Sequence, residues 1–467
     1  MRAKSLQLFI FLGIGILSYL AIQSIFYETI YHSDNLYLPL LARDVKHGSF
    51  THWYFPPSTY VFPDLLLMFL LQFLLPDLYL PLGFGIFQFY LLIYLVYLYV
   101  KRESGKQKAL FTINLLVFIL MICYYYEFLD ESSINPFVFL FTSGHHCSSL
   151  LIFFISLVAY KNSNAKKGSH RLAFIFLLFL FTYVSDRFFM IFLVSGFFLF
   201  RKSRFQVRQI TSLFGLLLVS ELLLSLISHA YRIPNNFDIL VYAFKNKNLL
   251  ENFYLFIRYF YDFGKIYFLK VSPIFHLVMF SFLFFSFVFK FRYLPLRFLG
   301  SLGLSSFLFL GIVGRFVFPH AFPIRYLFPF LFCLILFFCL SFIKNVPTLS
   351  VKTFQLLQRI TFLLLLATTV NSYWLAEIII DQKHDYRNLV LSSLIFEMKK
   401  SSFWTSYEAE KKIRFWSQNQ LEPLPCSPSG KPYLWITGAF VKMGTQEGNC
   451  LSPGSRTWIP NSLTKDF

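Results

Sequence analysis

The chain has 467 residues, 57% of them hydrophobic and 14% charged, with a formal net charge of +19. Aromatics reach 21%, through 65 Phe, 28 Tyr and 6 Trp. Soluble chains carry about a quarter charged residues, so this composition excludes a cytosolic enzyme, a secreted disulfide scaffold and a disordered tail protein. It assigns the apolar surface to a bilayer.

Crossing a hydrocarbon core takes roughly 20 apolar residues as helix. In chain order the candidate segments are 6–26, 59–75, 78–100, 110–126, 137–160, 172–185, 188–200, 210–228, 271–289, 298–314, 326–342 and 360–380. The expected fold is therefore an all-α polytopic membrane protein with about eleven or twelve transmembrane helices. Segment 6–26 lacks a clean cleavage site and is read as an uncleaved first helix. Residues 1–380 form the membrane domain and 381–467 a small extracytoplasmic C-terminal domain, with 385–416 predicted helical and the remainder built of turns.

Basic residues set the orientation. They fall in runs between apolar segments: Arg2 and Lys4; Lys101, Arg102, Lys106 and Lys108; Lys161, Lys166, Lys167 and Arg171; then Arg201–Arg208, Lys290–Arg297 and Lys344–Arg359. Cytoplasmic loops carry such runs; a nucleic-acid surface would gather them on one face, so no nucleic-acid partner is expected. Segments 27–58, 127–135, 185–187, 229–270, 315–325 and 381–467 then lie outside. Three apolar segments separate Arg2 from Lys101 where an even number of crossings is needed. Either 59–75 or 78–100 fails to cross, with Pro63, Pro76 and Pro81 as interruptions, or one orientation is irregular.

The short segments 172–185 and 188–200 predict a hairpin whose tip, Asp186-Arg187, stops inside the outer half of the membrane and lines a wet or protein-lined cavity. Aromatics at helical spacing in 253–261 predict a helix, either lying at the interface or packed in the bundle. Cys123, Cys147, Cys333 and Cys339 sit in apolar surroundings and pack; Cys426 and Cys450 can pair if the tail faces an oxidising compartment.

Ionisable residues gather on the outer side. Asp34 opens the stretch Asp34-Asn35-Leu36-Tyr37-Leu38-Pro39, after which a short surface helix is expected, followed by Asp44, Gly48, Trp53 and the pair Pro56-Pro57. A carboxylate at the mouth of a membrane crevice can take a proton from a hydroxyl, and Arg315, Arg325 and Arg187 supply cations for a lipid phosphate. Asp44, Glu127, Asp130, Glu131 and His320 are further candidates for an acceptor or metal site. Each has a structural alternative: helix cap for Asp34, surface acid for Asp44, solvated loop for 127–131, ion pair for Asp186 and Arg187, headgroup anchors for Arg315 and Arg325. His145 and His146 are adjacent, so on a helix their side chains diverge and joint ligation is not expected.

This first outer segment resembles that of the GT-C superfamily of glycosyltransferases, which includes protein O-mannosyltransferases and the lipid A aminoarabinose transferase. Asp34, Tyr37, Ala42, Gly48, Trp53, Pro56 and Pro57 fill the family outline in order, and Arg325-Tyr326-Leu327-Phe328-Pro329 resembles its late Arg-Tyr-x-x-Pro motif. The Ser185-Asp186 tip is similar to the short-hairpin acid of bacterial members. The resemblance implies a GT-C-like fold, a polyprenyl-phosphate-linked sugar donor, and a glycan, lipid or protein acceptor outside a bacterial inner membrane. It makes Asp34 the catalytic base, Asp186 a second acid and Arg325 a holder of the donor phosphate, a role for which Arg315 and Arg187 are candidates by their outer placement alone. Asn35 replaces the family's usual second acid and no Lys or His precedes Pro56. The sequence requires no cofactor and leaves a divalent metal open. A flippase for a lipid-linked glycan and a non-catalytic membrane assembly protein are the alternative functions.

Overall fold

The computed structural model describes residues 32–48, 53, 55, 58–129, 136–144, 146–161, 168–196, 217–226, 249–270, 294–316, 324–345, 402–418 and 420–426, with isolated helical positions at 215, 276, 280, 356 and 363. It is mostly helical.

Helix α1 (Ser33–Lys46) opens with the His32 ring accepting from the Asp34 amide at 3.3 Å. The sequence predicted a surface helix beginning after Pro39. Instead α1 runs through Pro39 and is buried, with Leu36, Leu40, Leu41 and Ala42 at 0% exposure. A proline inside a helix removes the hydrogen bond to the carbonyl four residues back. That carbonyl, on Asn35, accepts from the Ser143 hydroxyl at 3.0 Å instead.

Segment 59–75 breaks into a wide turn, Val61–Leu65, and the short α2 (Leu66–Leu71). Pro76 and Pro81 do not break the next element, because they fall at its start, where no helical N–H is lost. Helix α3 (Leu80–Ser104) and α4 (Lys106–Leu129) make a hairpin about Gly105, whose φ of 86° suits a residue without Cβ. Segment 137–160 is interrupted: a single turn (Pro136–Leu140) leads through Gly144 and His146, both with positive φ, into α5 (Cys147–Lys161). The two short segments expected at 172–200 are present as α6 (Gly168–Ser185), a turn at Arg187–Phe189, and α7 (Met190–Gly196), but α7 packs on the helices of 147–161 and 294–316 rather than back along α6 as a hairpin would.

Helices α8 (Leu249–Lys270), α9 (Leu294–Phe316) and α10 (Phe328–Asn345) complete the described bundle. α8 packs on α9, burying Tyr259 and exposing Tyr254, Ile257 and Tyr261. Stacked rings carry the core: Phe153 of α5 lies on Phe298 of α9 at 5.5 Å with planes 3° apart, and Phe89 of α3 on Phe141 at 4.8 Å. Gly303 lets α10 approach, since a Cβ there would meet Phe330 at 2.9 Å. Among the described residues one helix, Asp77–Ser104, is long and apolar enough to cross a membrane; seven shorter apolar helices of 10–17 residues accompany it.

The C-terminal region departs from an all-α expectation. β1 (Ser402–Ser406), α11 (Tyr407–Trp416) and β2 (Glu422–Cys426) form a small unit with parallel strands, Ser402 opposite Glu422 and Ser406 opposite Cys426. The helix predicted over 385–416 is thus confined, within the described residues, to its last ten. Ser406 ends the strand and caps the helix, accepting from the Ala409 amide at 3.2 Å. Pro423 and Pro425 hid β2 in the sequence. Being two residues apart, they turn their missing N–H groups to the same side of the strand. Cys426 is disulfide-bonded, while Cys123, Cys147, Cys333 and Cys339 are buried thiols; Cys450 lies outside the described residues.

Candidate functional site

Asp34 stands on the first turn of α1, and Arg325 in the turn Ile324–Tyr326 that leads into α10. Their charged groups meet at 3.9 Å, with the side chains 36% and 22% exposed. The Arg325 guanidinium also lies over the Tyr326 ring, 5.4 Å from its centre. A half-exposed carboxylate beside a guanidinium can receive a proton from one bound group and neutralise charge on another.

Asp186 follows α6, caps the turn Arg187–Phe189 and is 1% exposed. It accepts from the His146 ring through Nδ1, 2.9 Å from each carboxylate oxygen. Ser149 donates to it at 2.5 Å, Ser58 at 3.4 Å and the Phe188 amide at 3.1 Å. Burying a carboxylate is costly unless it is paired and hydrogen-bonded, and these donors meet that cost. The preceding residue fixes the neighbouring strand of chain: the Ser185 carbonyl accepts from the Tyr60 amide at 3.1 Å, and its hydroxyl from the Phe62 amide at 2.8 Å. Between those bonds Tyr60 is held at φ 51°, an uncommon conformation for a residue other than glycine.

The two clusters share a corner. The His146 ring packs against Tyr326 at 5.2 Å, Phe188 at 4.4 Å and Tyr60 at 5.7 Å. Tyr326 is the residue after Arg325, and Tyr60 stands within electrostatic reach of Asp186, Arg325 and Asp64. Asp64, 1% exposed, accepts from Ser148 at 2.9 Å, so neighbouring serines at the start of α5 serve two different carboxylates.

The other candidates fall elsewhere. Asp44 is neither a surface acid nor a free base: it is 4% exposed, and Trp53 Nε1 donates to it at 2.8 Å while Arg414 of α11 binds both its oxygens at 2.8 and 2.6 Å. Arg187 points to Glu221 at 3.7 Å, where the Tyr183 hydroxyl also donates at 2.7 Å. Glu127 and Arg315 lie on α4 and α9, with only their backbone described. Asp130, Glu131 and His320 lie outside the described residues. Among the described residues no group of three or more His, Cys, Asp or Glu is placed to hold a metal ion.

The chain matches no protein-family model and no curated protein. The site is therefore read from its own residues.

Several of those residues had no clear sequence signal. On a continuous helix over 137–160 the His146 ring would simply diverge from that of its neighbour. The positive φ at Gly144 and His146 ends that helix and turns the ring toward Asp186. Gly144 just ahead of the histidines was the available hint. Ser58, Ser149 and Asp64 belong to no recognisable motif, and only the fold brings them to this corner. The C-terminal helix adds Lys411, which is buried beside Glu410 at 3.6 Å and within electrostatic reach of Asp34. Burial pulls the Lys411 amine below its ordinary value, against the opposing pull of Glu410 and Asp34.

Proposed function

We propose that this chain is an integral membrane glycosyltransferase of GT-C type. It moves a sugar from a polyprenyl-phosphate donor to an extracytoplasmic glycan, lipid or protein acceptor. The observation that carries the reading is the Asp34–Arg325 pair, drawn from the first and a late outer segment and set against the Asp186 corner through Tyr326. In the proposed step the acceptor hydroxyl gives its proton to Asp34, and its oxygen attacks the anomeric carbon. The bond from that carbon to the phosphate oxygen breaks, and the electron pair departs on the phosphate beside Arg325.

Membrane placement rests on apolar exposure. Leu66, Leu70, Phe73 and Leu74 around α2 are 49%, 52%, 71% and 78% exposed, and Phe174, Leu177 and Phe181 of α6 about half, which needs an apolar solvent. Val61–Leu71 would reach about 16 Å as helix, roughly half a hydrocarbon core of about 30 Å. In this reading it dips and returns while α3 crosses, which gives the even number of crossings that the basic loops require. Sidedness has separate support. α5 starts at Cys147, directly after His146, and near its other end Arg102, in the basic α3–α4 turn, donates to the Val158 carbonyl at 2.6 Å. Fifteen residues of α5, about 22 Å of helix, separate the site from the positive end. The Cys426 disulfide suits an extracytoplasmic compartment.

The test uses the purified full chain with a panel of polyprenyl-phosphate hexoses and pentoses, reading released polyprenyl phosphate. Asp34→Asn should lower turnover about 10²–10⁴-fold. Near wild-type turnover in that variant excludes Asp34 as base. Counterflow of a lipid-linked glycan without its cleavage would select the flippase instead.

A further inference from the structure

Helix α3 carries an ordered stripe on one exposed side. Phe87, Tyr94 and Lys101 are all exposed and stand seven residues apart, so they line up along the helix. Seven residues of helix rise about 10 Å. An apolar ring, an amphipathic ring and an ammonium therefore follow one another outward, the order of hydrocarbon, interface and headgroup in a bilayer. One turn before Lys101 the half-buried Tyr97 ring meets its Nζ, 5.9 Å from the ring centre.

The stripe ends in a fixed, open turn. Gly105 reverses the chain with a φ of 86°, and Arg102 ties the turn to α5 through the Val158 carbonyl at 2.6 Å. Lys101, Arg102, Lys106 and Lys108 are exposed there, against one carboxylate, that of Glu103. A Cβ at Gly105 would meet nothing within 4 Å, so the space over the turn is free. Arg102 serves the fold, which leaves the three lysines for a partner.

We propose that this turn binds the headgroup of an anionic phospholipid. Lys101, Lys106 and Lys108 set their ammonium groups on its phosphate, and Tyr94 and Tyr97 lie against the glycerol and the upper acyl chain. The inference rests on the membrane placement proposed above and not on sugar transfer. Basic groups at the end of a spanning helix are attracted to anionic lipid over about a Debye length. A zwitterionic headgroup carries its own cation and forfeits most of that attraction. The aromatic step beneath the lysines favours a lipid over a soluble anion, which would meet the turn alone.

The experiment titrates the purified full chain, in a neutral detergent, with phosphatidylglycerol, phosphatidylcholine or inorganic phosphate, and reads the thermal unfolding midpoint. Phosphatidylglycerol should raise the midpoint at the lowest concentration. Each lysine near an anionic lipid surface is worth about fivefold in binding. Lys101→Gln, Lys106→Gln and Lys108→Gln together should therefore demand about 10²-fold more phosphatidylglycerol for the same rise. The midpoint without lipid and the response to phosphatidylcholine should not change. Lys101→Arg, Lys106→Arg and Lys108→Arg together keep the charges and should keep the wild-type response, and added salt should weaken it. Should the triple glutamine variant fail to fold, Lys106→Gln with Lys108→Gln carries the same comparison at about 25-fold. Equal potency of the two phospholipids, or a wild-type response in the glutamine variants, overturns the proposal while leaving the membrane placement intact. Inorganic phosphate acting as strongly as phosphatidylglycerol overturns a lipid as the occupant. A chain that stays monodisperse without detergent and responds to neither lipid overturns the membrane placement as well.

Discussion

Arg414 reaches across 370 positions of sequence to bind both carboxylate oxygens of Asp44, at 2.6 and 2.8 Å, and lies over the Trp53 ring 5.7 Å from its centre. This clasp fastens the C-terminal α11 to α1, the helix that carries Asp34. The C-terminal unit is therefore a wall behind the candidate site. Arg43 extends the contact by donating to the Arg414 carbonyl at 3.3 Å; burial and the neighbouring Arg414 pull its guanidinium down to about 10, while Asp77 and Asp44 oppose the fall.

Removing one partner of such a pair leaves a buried charge alone, at a cost of about 3–5 kcal/mol. Arg414→Ala should accordingly speed hydrogen exchange in residues 407–416. Arg414→Met combined with Asp44→Leu should recover much of the protection, because the second uncompensated charge is gone too.

Pro39 and Ser143 should show coupled energetics. In the wild type Ser143→Ala strips the Asn35 carbonyl of its donor and should cost about 1 kcal/mol. With Pro39→Ala present, the restored amide of residue 39 can bond that carbonyl within α1, and the same serine change should cost close to nothing. A thermal or denaturant double-mutant cycle measures the difference.

Arg325 should matter for donor rather than acceptor. Arg325→Ala is expected to lower kcat/KM for the polyprenyl-phosphate sugar about 10²-fold or more, with Arg325→Lys intermediate, since a point charge lacks the bidentate fork. Equal loss in both variants would mean that the guanidinium shape carries the whole effect.

Lys411 gives a pH signature. Its folded pKa lies below the ordinary 10.5 because it is buried. Between those two values the unfolded chain holds a proton that the folded chain has released, so stability should rise with pH through that window. The penalty is largest below the folded value and vanishes above 10.5. Lys411→Met should flatten this rise, measured as the denaturation midpoint of α11 from the acid to the alkaline side of the window.

Orientation can be checked by single-cysteine labelling in intact cells. Lys106→Cys, in the exposed basic turn, should react with an impermeant maleimide only after permeabilisation. Gln418→Cys, exposed after α11, should react from outside. The reverse pattern would place the Asp34 corner in the cytoplasm and end the proposal of an extracytoplasmic site.

The sequence displayed the helical bulk, because long runs of Leu and Phe leave few alternatives to helix in an apolar setting. It also pointed to Asp34, Arg325 and Asp186 individually, since an ionisable residue in such text is conspicuous. Asp44 was visible too, but its role was not: nothing local connects it with Arg414. The contact of His146 with Asp186 was not legible either, since the backbone turn at Gly144 and His146 decides where the ring points.

What the amino-acid order settled by itself was periodicity, charge spacing and the end of each apolar run, all of them properties of neighbouring residues. Tertiary structure alone decided which distant polar groups meet, because a buried charge must find its partner wherever the packed helices bring one. That requirement joins α1 to α11 through Asp44 and Arg414, and the end of α6 to the start of α5 through Asp186.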